Sequence, residues 1–379
     1  MAAKICLVSN TAWSFVRFRL DLIKSLINAG HQVILLAPRD EFVGQLESLG
    51  ARVLLLKSLS AKGLNPLSDI KLYLEFKRIY KAEKPDVIIQ YTIKPNIYST
   101  LAASGLKIPT IAVVTGLGYA FINRSMITLI AKTLYRSAFM RASKVWFLNR
   151  DDSEFFLNSR LVEPDKMGRM PGEGVNCIDT YNPELFPASV PDPSTITFLF
   201  IGRLLYDKGI AEYVTAAKHI KRLYPNTVFW VLGYLNVENP AAVQETQLNA
   251  WIREGSIEYL GAVDDVRPII AKCDCVVLPS YREGMSTTLQ ESAAMAKPLI
   301  ATDIPGCKEL IEEGKNGYLC SVRDTGSLVS CMKRMIKLTP DERKKMGING
   351  RTRMMNEFAV ENIISLYHAA INEMIYKKG

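Results

Sequence analysis

Short apolar runs, each closed by glycine or a polar residue and followed by helical spacing, recur along this chain of 379 residues. In the first part they lie at Lys4–Val8, Val33–Ala37, Arg52–Leu56, Val87–Gln90, Thr110–Val114 and Lys144–Leu148. In the second part they lie at Phe198–Arg203, Thr227–Leu232, Ile257–Gly261 and Cys275–Ser280, with a further run at Pro298–Thr302. An apolar run without alternation reads as a strand covered on both faces, the state of a parallel sheet. Strands alternating with helices imply an α/β chain with doubly wound sheets, whose function collects at the carboxyl ends of the strands. The length suffices for two such domains. Asn182 to Pro193 carries Pro183, Pro187, Pro191 and Pro193 and reads as a linker. The expected division is 1–180, a linker at 181–194, and 195–359.

Several classes fall away early. No run approaches the ~18–20 apolar residues of a membrane span. Met1 to Ser9 reads as a strand rather than a signal peptide. Seven cysteines, odd in number and scattered, suit a reducing compartment, and Cys273 and Cys275 lack zinc-ligand spacing. His31, His219 and His368 are the only histidines and are dispersed, so no metal is expected. Asn149-Arg-Asp151-Asp152 reads as the cap of the next helix. No G-x-G-x-x-G follows the first strand, which disfavours a dehydrogenase.

Charge is unevenly spread. Residues 1–150 hold 21 Lys and Arg against 8 Asp and Glu, while the whole chain carries a net +9. The first part is therefore strongly basic and the remainder slightly acidic. A basic half suits an anionic membrane surface or an anionic acceptor, or is a merely soluble basic face. Arg124 to Arg141 has cations at helical spacing beside a broad apolar face, with Lys132, Arg136 and Arg141 as the candidate contacts. It reads either as an interfacial helix or as a packing helix with an exposed polar side. Ile70 to Lys84 is a second segment of that kind.

The densest chemistry lies in Glu283-Gly-Met-Ser-Thr-Thr-Leu-Gln-Glu291, between a strand and a helix. Glu283 stands before the helix and Glu291 about two turns inside it. Gly284 frees the turn, and Ser286, Thr287 and Thr288 are capping residues whose N–H groups point into a crevice. Alone, this is equally a pair of surface glutamates flanking an ordinary helix. Eighty residues earlier, Gly202-Arg203 ends a strand and Lys208-Gly209 follows, placing two cations where a diphosphate would sit.

Strand, G-R-x4-K-G, then E-G-x6-E entering a helix resembles the nucleotide-sugar half of family 4 glycosyltransferases. That resemblance implies the GT-B fold, two doubly wound Rossmann-like domains facing a central cleft, with the last helix (360–379) returning to the first domain. It implies retaining, metal-independent transfer from a UDP-sugar. Catalytic roles fall to Arg203, Lys208 and Glu283. Donor contacts fall to Gly202, Arg203, Lys208, Gly233, Glu283, Gly284, Met285, Ser286, Thr287 and Glu291. Gly172-Glu-Gly174-Val-Asn176 resembles the family's turn before the crossover.

Thr92-Ile-Lys94-Pro-Asn96 and Thr115-Gly-Leu-Gly118-Tyr-Ala-Phe121 resemble a narrower subgroup. Its members add hexoses or N-acetylhexosamines, N-acetylgalactosamine among them, to undecaprenyl-diphosphate-linked sugars. The resemblance implies a polyprenyl-diphosphate-linked glycan as acceptor and a place on the cytoplasmic face of the bacterial inner membrane. Nucleic acid is not expected as a partner. Acceptor contacts would come from Asn10, Thr11, Arg17, Lys94, Asn96, Gly116, Gly118 and Tyr119. Arg17 and Arg19 either face a phosphate or form a solvated helix start. Rival readings are a GT-B epimerase or phosphorylase and a noncatalytic nucleotide-binding protein.

Overall fold

A computed structural model describes residues 2–59, 65–117, 126–186, 195–235 and 239–376. The chain forms two compact units, one of residues 1–173 with 361–379, the other of residues 174–360. Each is built on an all-parallel sheet. The first orders its strands β3-β2-β1-β4-β5-β6-β7. They are β1 (Lys4–Val8), β2 (Gln32–Ala37), β3 (Arg52–Leu55), β4 (Val87–Tyr91), β5 (Thr110–Val114), β6 (Lys144–Phe147) and β7 (Met167–Arg169). The second orders them β10-β9-β8-β11-β12-β13. They are β8 (Ile196–Ile201), β9 (Thr227–Leu232), β10 (Glu258–Tyr259), β11 (Cys275–Leu278), β12 (Leu299–Thr302) and β13 (Gly317–Cys320).

Helices cross between the strands. In the first unit they are α1 (Trp13–Phe18), α2 (Leu20–Asn28), α3 (Val43–Ser48), α4 (Pro66–Glu83), α5 (Thr100–Ser104), α6 (Met126–Phe139) and α7 (Arg150–Asn158). In the second they are α8 (Ile210–Leu223), α9 (Glu245–Arg253), α10 (Arg267–Lys272), α11 (Thr287–Ala294), α12 (Thr325–Lys337) and α13 (Pro340–Glu357). The last, α14 (Val360–Tyr376), belongs to the first unit in all but its first residue. The strand order reverses between β1 and β4 and again between β8 and β11, and ligands of such sheets sit beyond the strand ends at those points.

Central strands β1, β4, β5, β8 and β11 are buried almost throughout, which is why they appear as unbroken apolar runs. Two edge strands escape that signal. β7 is a half-exposed edge, and β13 opens on Gly317, which packs so closely on Leu299 that an added Cβ would lie 2.3 Å from its carbonyl oxygen. The apolar residues from Phe15 to Asn28 carry helical spacing throughout, yet the segment forms two helices, because Arg19 leaves helical geometry (φ −134) and its side chain is buried. The unit boundary falls ahead of the proline-rich segment: Val175 bridges Ala359, and Val175 and Cys177 join the second core. Asn182 caps a short turn, Pro183–Leu185, and residues 187–194 of the expected linker lie outside the described residues. Asn149 caps α7 as the sequence suggests, accepting from the Asp152 N–H.

Arg19 is the surprise of the first unit. It is only 4% exposed and ion-paired with Glu173, 8% exposed, the last residue before the chain enters the second unit. Its guanidinium lies 3.6 Å from the Tyr91 ring centroid and donates to the Ser14 carbonyl at 3.2 Å. Tyr91 in turn donates to Tyr367 of α14. Neither sequence reading of Arg19 therefore holds: it faces neither a phosphate nor solvent, but ties β4 and α14 to the crossover.

Burial raises the Glu173 pKa more than Arg19 lowers it, so folding takes up a proton there and stability rises as pH falls through the folded pKa. Arg19→Met leaves that carboxylate buried without its cation. It should lower the urea midpoint at pH 7.5 by the equivalent of about 3–5 kcal/mol, and recover more on acidification to pH 5.5 than wild type does. Equal midpoints for variant and wild type at both pH values would contradict the buried pair.

Candidate active site

At the switch point of the second sheet, the loop leaving β8 meets the loop leaving β11. Gly209 has φ +74, and an added Cβ would lie 2.0 Å from the Pro279 carbonyl oxygen. That contact needs a glycine on both counts, and it presses the two loops together at their backbones. The Tyr281 N–H donates to the Asp207 carbonyl at 2.8 Å, and the Ser280 hydroxyl reaches the same oxygen at 3.4 Å. Thr302 at the end of β12 donates its hydroxyl to the Ser280 carbonyl at 2.7 Å.

Two further loops close on these. Gly233, at φ +151 after β9, stands where an added Cβ would fall 1.8 Å from the Gly202 carbonyl oxygen. Its N–H donates to the Gly261 carbonyl, and its own carbonyl accepts from the Tyr259 hydroxyl. Gly306, at φ +80 after β12, lies against the Glu283 and Gly284 carbonyls, and its carbonyl accepts from the Ser286 N–H at 2.9 Å. Four strand ends thus converge on one small region of this unit.

The charged residues expected from the sequence sit in that region. Lys208 Nζ lies 2.6 Å from Glu283 Oε1, with side chains 19% and 14% exposed. Two residues 75 positions apart are therefore brought together as a partly buried ion pair. Arg203, at the mouth of β8, extends an exposed side chain, and no ion pair to it occurs among the described residues. Cys307 is buried beside the pair; burial, then Glu283, pushes its thiol well up, so it is inert there.

The other donor residues divide. Glu291 is 6% exposed and lies about one turn into α11, not two, because the helix starts at Thr287. Ser286 caps that helix, accepting from the Leu289 N–H at 3.3 Å. With its own N–H given to Gly306, Ser286 holds the loop and does not offer an N–H to a ligand, contrary to expectation. Gly284, Met285 and Thr287 line the same turn, half-buried. Gly233 meets the Gly202 backbone, which explains its identity without a ligand contact, whereas a Cβ on Gly202 would touch only the Phe200 ring at 3.8 Å.

In the first unit the expected acceptor residues follow different strands. Lys94 pairs with Asp69 at 2.9 Å, and Asp69 also accepts from the Tyr98 hydroxyl at 2.8 Å. Asn96 is fully buried and donates to the Val113 carbonyl at 2.8 Å, so it builds the framework of the turn Pro95–Ser99 and is not presented to solvent. Thr11 accepts from the Ser14 N–H at the start of α1, Asn10 and Arg17 are half-buried, and Gly116 has φ +145 after β5. Gly118 and Tyr119 lie outside the described residues.

Comparison with known proteins places both units in one setting. Residues 4–149 match the family described as glycosyl transferase 4-like, and residues 195–337 match glycosyl transferases group 1. The chain is 27% identical to the N,N'-diacetylbacillosaminyl-diphospho-undecaprenol alpha-1,3-N-acetylgalactosaminyltransferase of Campylobacter jejuni, over 99% of both chains. It is 25% identical to the UDP-Gal:alpha-D-GlcNAc-diphosphoundecaprenol alpha-1,3-galactosyltransferase of Escherichia coli, over 81% of each. Its fold is similar to a Rickettsia africae glycosyltransferase (TM-score 0.80, 19% identity, 99% of each chain). It is likewise similar to Anabaena HepE in complex with UDP and glucose (TM-score 0.79, 17% identity, 98% of this chain and 100% of that one).

The loop packing makes a direct prediction. Gly233→Ala should unfold more readily, since backbone must move. Gly255→Ala is the control: φ there is +68 but nothing lies within 4 Å of an added Cβ. It should cost only the roughly 1–2 kcal/mol of left-handed strain. Thermal melts of the two variants decide the matter; equal shifts would show that Gly233 is not packed as described.

Proposed function

This chain belongs to the 4-like, group 1 glycosyltransferases of GT-B fold, and we propose that it moves a hexose or N-acetylhexosamine from a UDP-sugar to a polyprenyl-diphosphate-linked saccharide. The observation that carries the donor half is the Lys208–Glu283 pair, preformed at the switch point, with Arg203 exposed in the same β8 exit loop as Lys208. A pair of this kind presents a cation to a departing diphosphate and a carboxylate to sugar hydroxyls. The similarity to the Campylobacter jejuni enzyme over 99% of both chains supports the acceptor half and favours N-acetylgalactosamine as the sugar.

The reaction we propose retains configuration. The bond from the anomeric carbon to the UDP oxygen breaks, and the acceptor hydroxyl oxygen attaches to that carbon on the same face. The hydroxyl proton passes to the leaving diphosphate. Arg203 and Lys208 stabilise the charge that builds on the diphosphate, and no metal is assigned to that task. Glu283, held by Lys208, is read as a holder of donor hydroxyls, and Glu291 as a partner of the ribose.

The basic first unit supplies a reading for location. Among the described residues no helix is long and apolar enough to cross a membrane. Yet α4 exposes Leu67, Ile70 and Leu74 at helical spacing, 70%, 56% and 54% exposed, beside exposed Lys71 and Arg78. Helix α6 exposes Leu129 and Ile130, with Arg136 and Arg141 exposed and Lys132 lying over the Phe155 ring. Both helices pack on the turn Pro95–Ser99. Apolar side chains framed by cations suit the cytoplasmic leaflet of an inner membrane, where a lipid-linked acceptor resides.

Two outcomes test these readings. In EDTA, transfer from a panel of UDP-sugars to a diphospho-polyprenol saccharide should persist. Arg203→Ala and Lys208→Ala should each lower kcat by about 100-fold or more in that assay, the scale of a lost donor to developing oxyanion charge. Near-normal turnover in both variants removes them from the site, and activity restored only by Mg²⁺ overturns the metal-free reading. Separately, Lys132, Arg136 and Arg141 changed together to Glu should release the enzyme from anionic vesicles and slow a long-chain acceptor more than a short soluble one. Equal slowing of both acceptors, or undiminished vesicle binding, contradicts docking through α6.

A further inference from the structure

Between the two loops that carry Lys208 and Glu283 lies a side-chain contact that neither motif contains. The Tyr281 hydroxyl donates to Glu212 Oε1 at 2.6 Å. Glu212 sits in the first turn of α8, four residues past Lys208, and Tyr281 stands two residues before Glu283. The second oxygen of Glu212, Oε2, is buried and has no hydrogen-bond partner. Among the described residues the tyrosine is thus the one side-chain donor to this carboxylate. On its other side the Tyr281 ring carries the Arg323 guanidinium at 4.5 Å from the centroid. Arg323 is held at φ +56 in the loop between β13 and α12, so a third loop leans on the same ring.

The arrangement is costly unless something requires it. Glu212 is half-buried, and its Oε2 is out of water and unpaired, which costs stability that a phenylalanine–leucine contact in the same place would not. Burial, and then the bond to Glu212, push the Tyr281 phenol up to about 12, so it remains a proton donor throughout the neutral range. Two backbone contacts already join the loops on either side of Lys208, the Tyr281 N–H bond to Asp207 and the approach of Gly209 to Pro279. The hydroxyl–carboxylate bond adds a side-chain tie from the β11 exit loop, two residues before Glu283, to the first turn of α8.

We propose that Tyr281 is a positioning residue for the donor. Its bond to Glu212 sets the separation of the two loops so that Lys208 and Glu283 stand ready for the diphosphate and the sugar. The proposal rests on the donor assignment made above. It adds two residues, Tyr281 and Glu212, that touch neither substrate, and it makes Arg323 the brace that keeps the ring in place.

The test is a double-mutant cycle on UDP affinity, measured by calorimetry with the full chain. Wild type is measured first, and absence of UDP binding there would overturn the donor assignment itself. Given wild-type binding, Tyr281→Phe should weaken UDP about tenfold and lower kcat/KM for the donor similarly, with KM for the acceptor unchanged. Glu212→Gln keeps an oxygen that accepts from Tyr281 and should stay within threefold of wild type, whereas Glu212→Leu should match Tyr281→Phe. In a Lys208→Met background, Tyr281→Phe should weaken UDP by no more than twofold further, because the clamp acts through the lysine. Full tenfold weakening in both backgrounds, or a Tyr281→Phe variant that melts earlier yet binds UDP as wild type does, would overturn the proposal and leave Tyr281 a packing residue.

Discussion

The ion pair between Lys208 and Glu283 is the contact toward which the second unit is built. Holding a lysine and a carboxylate at under one-fifth exposure is poor for stability, since desolvation offsets most of the attraction. What such a pair gives is placement. Each charge is kept in one position by the other, with little entropy left to lose when a ligand arrives. That placement depends on backbone contacts tight enough that a side chain could not intrude: Gly209 against Pro279, Gly233 against Gly202, and Gly306 against Gly284. Parallel strands bring their carboxyl ends to one edge, and these glycines let the exit loops close on each other there.

The first unit shows the opposite use of the same chemistry. Arg19 and Glu173 are buried more deeply, stacked on Tyr91 and linked to α14 through Tyr367. Nothing about that pair is open to exchange with a small ligand, because its surroundings are aromatic rings and backbone carbonyls. It fixes where the chain leaves the first unit and where its last helix returns. One fold thus carries two charge pairs, one shielded and structural, the other at the mouth of a strand and still partly reached by solvent.

Much of this was legible in the sequence. The buried strands of both sheets announce themselves as apolar runs, and Gly-Arg followed by Lys-Gly, with Glu283 eighty residues on, points to the loops leaving β8 and β11, where Lys208 and Glu283 meet. Three things were not legible. Short edge strands such as β7 have no periodic signal because they are half exposed and end after three residues. The partner of a buried charge is invisible when it lies 154 positions away, as Glu173 does from Arg19, so Arg19 looked like either a phosphate contact or a solvated helix start. A separation of 69 positions likewise hid the bond between Tyr281 and Glu212, neither of which belongs to a recognisable spacing. Asn96 misled for a different reason: a polar residue beside a crevice can serve the loop's own carbonyls, and here it bonds Val113.

If the strand-end loops of the second unit hold a nucleoside diphosphate between Arg203 and Lys208, as we propose, a crystal structure with UDP will show diphosphate oxygens within hydrogen-bond reach of both Arg203 and Lys208 Nζ, with Glu283 still beside the lysine and the contact of Gly209 with Pro279 unchanged. UDP bound away from the ends of β8 and β11, or a diphosphate that touches neither cation, would contradict it.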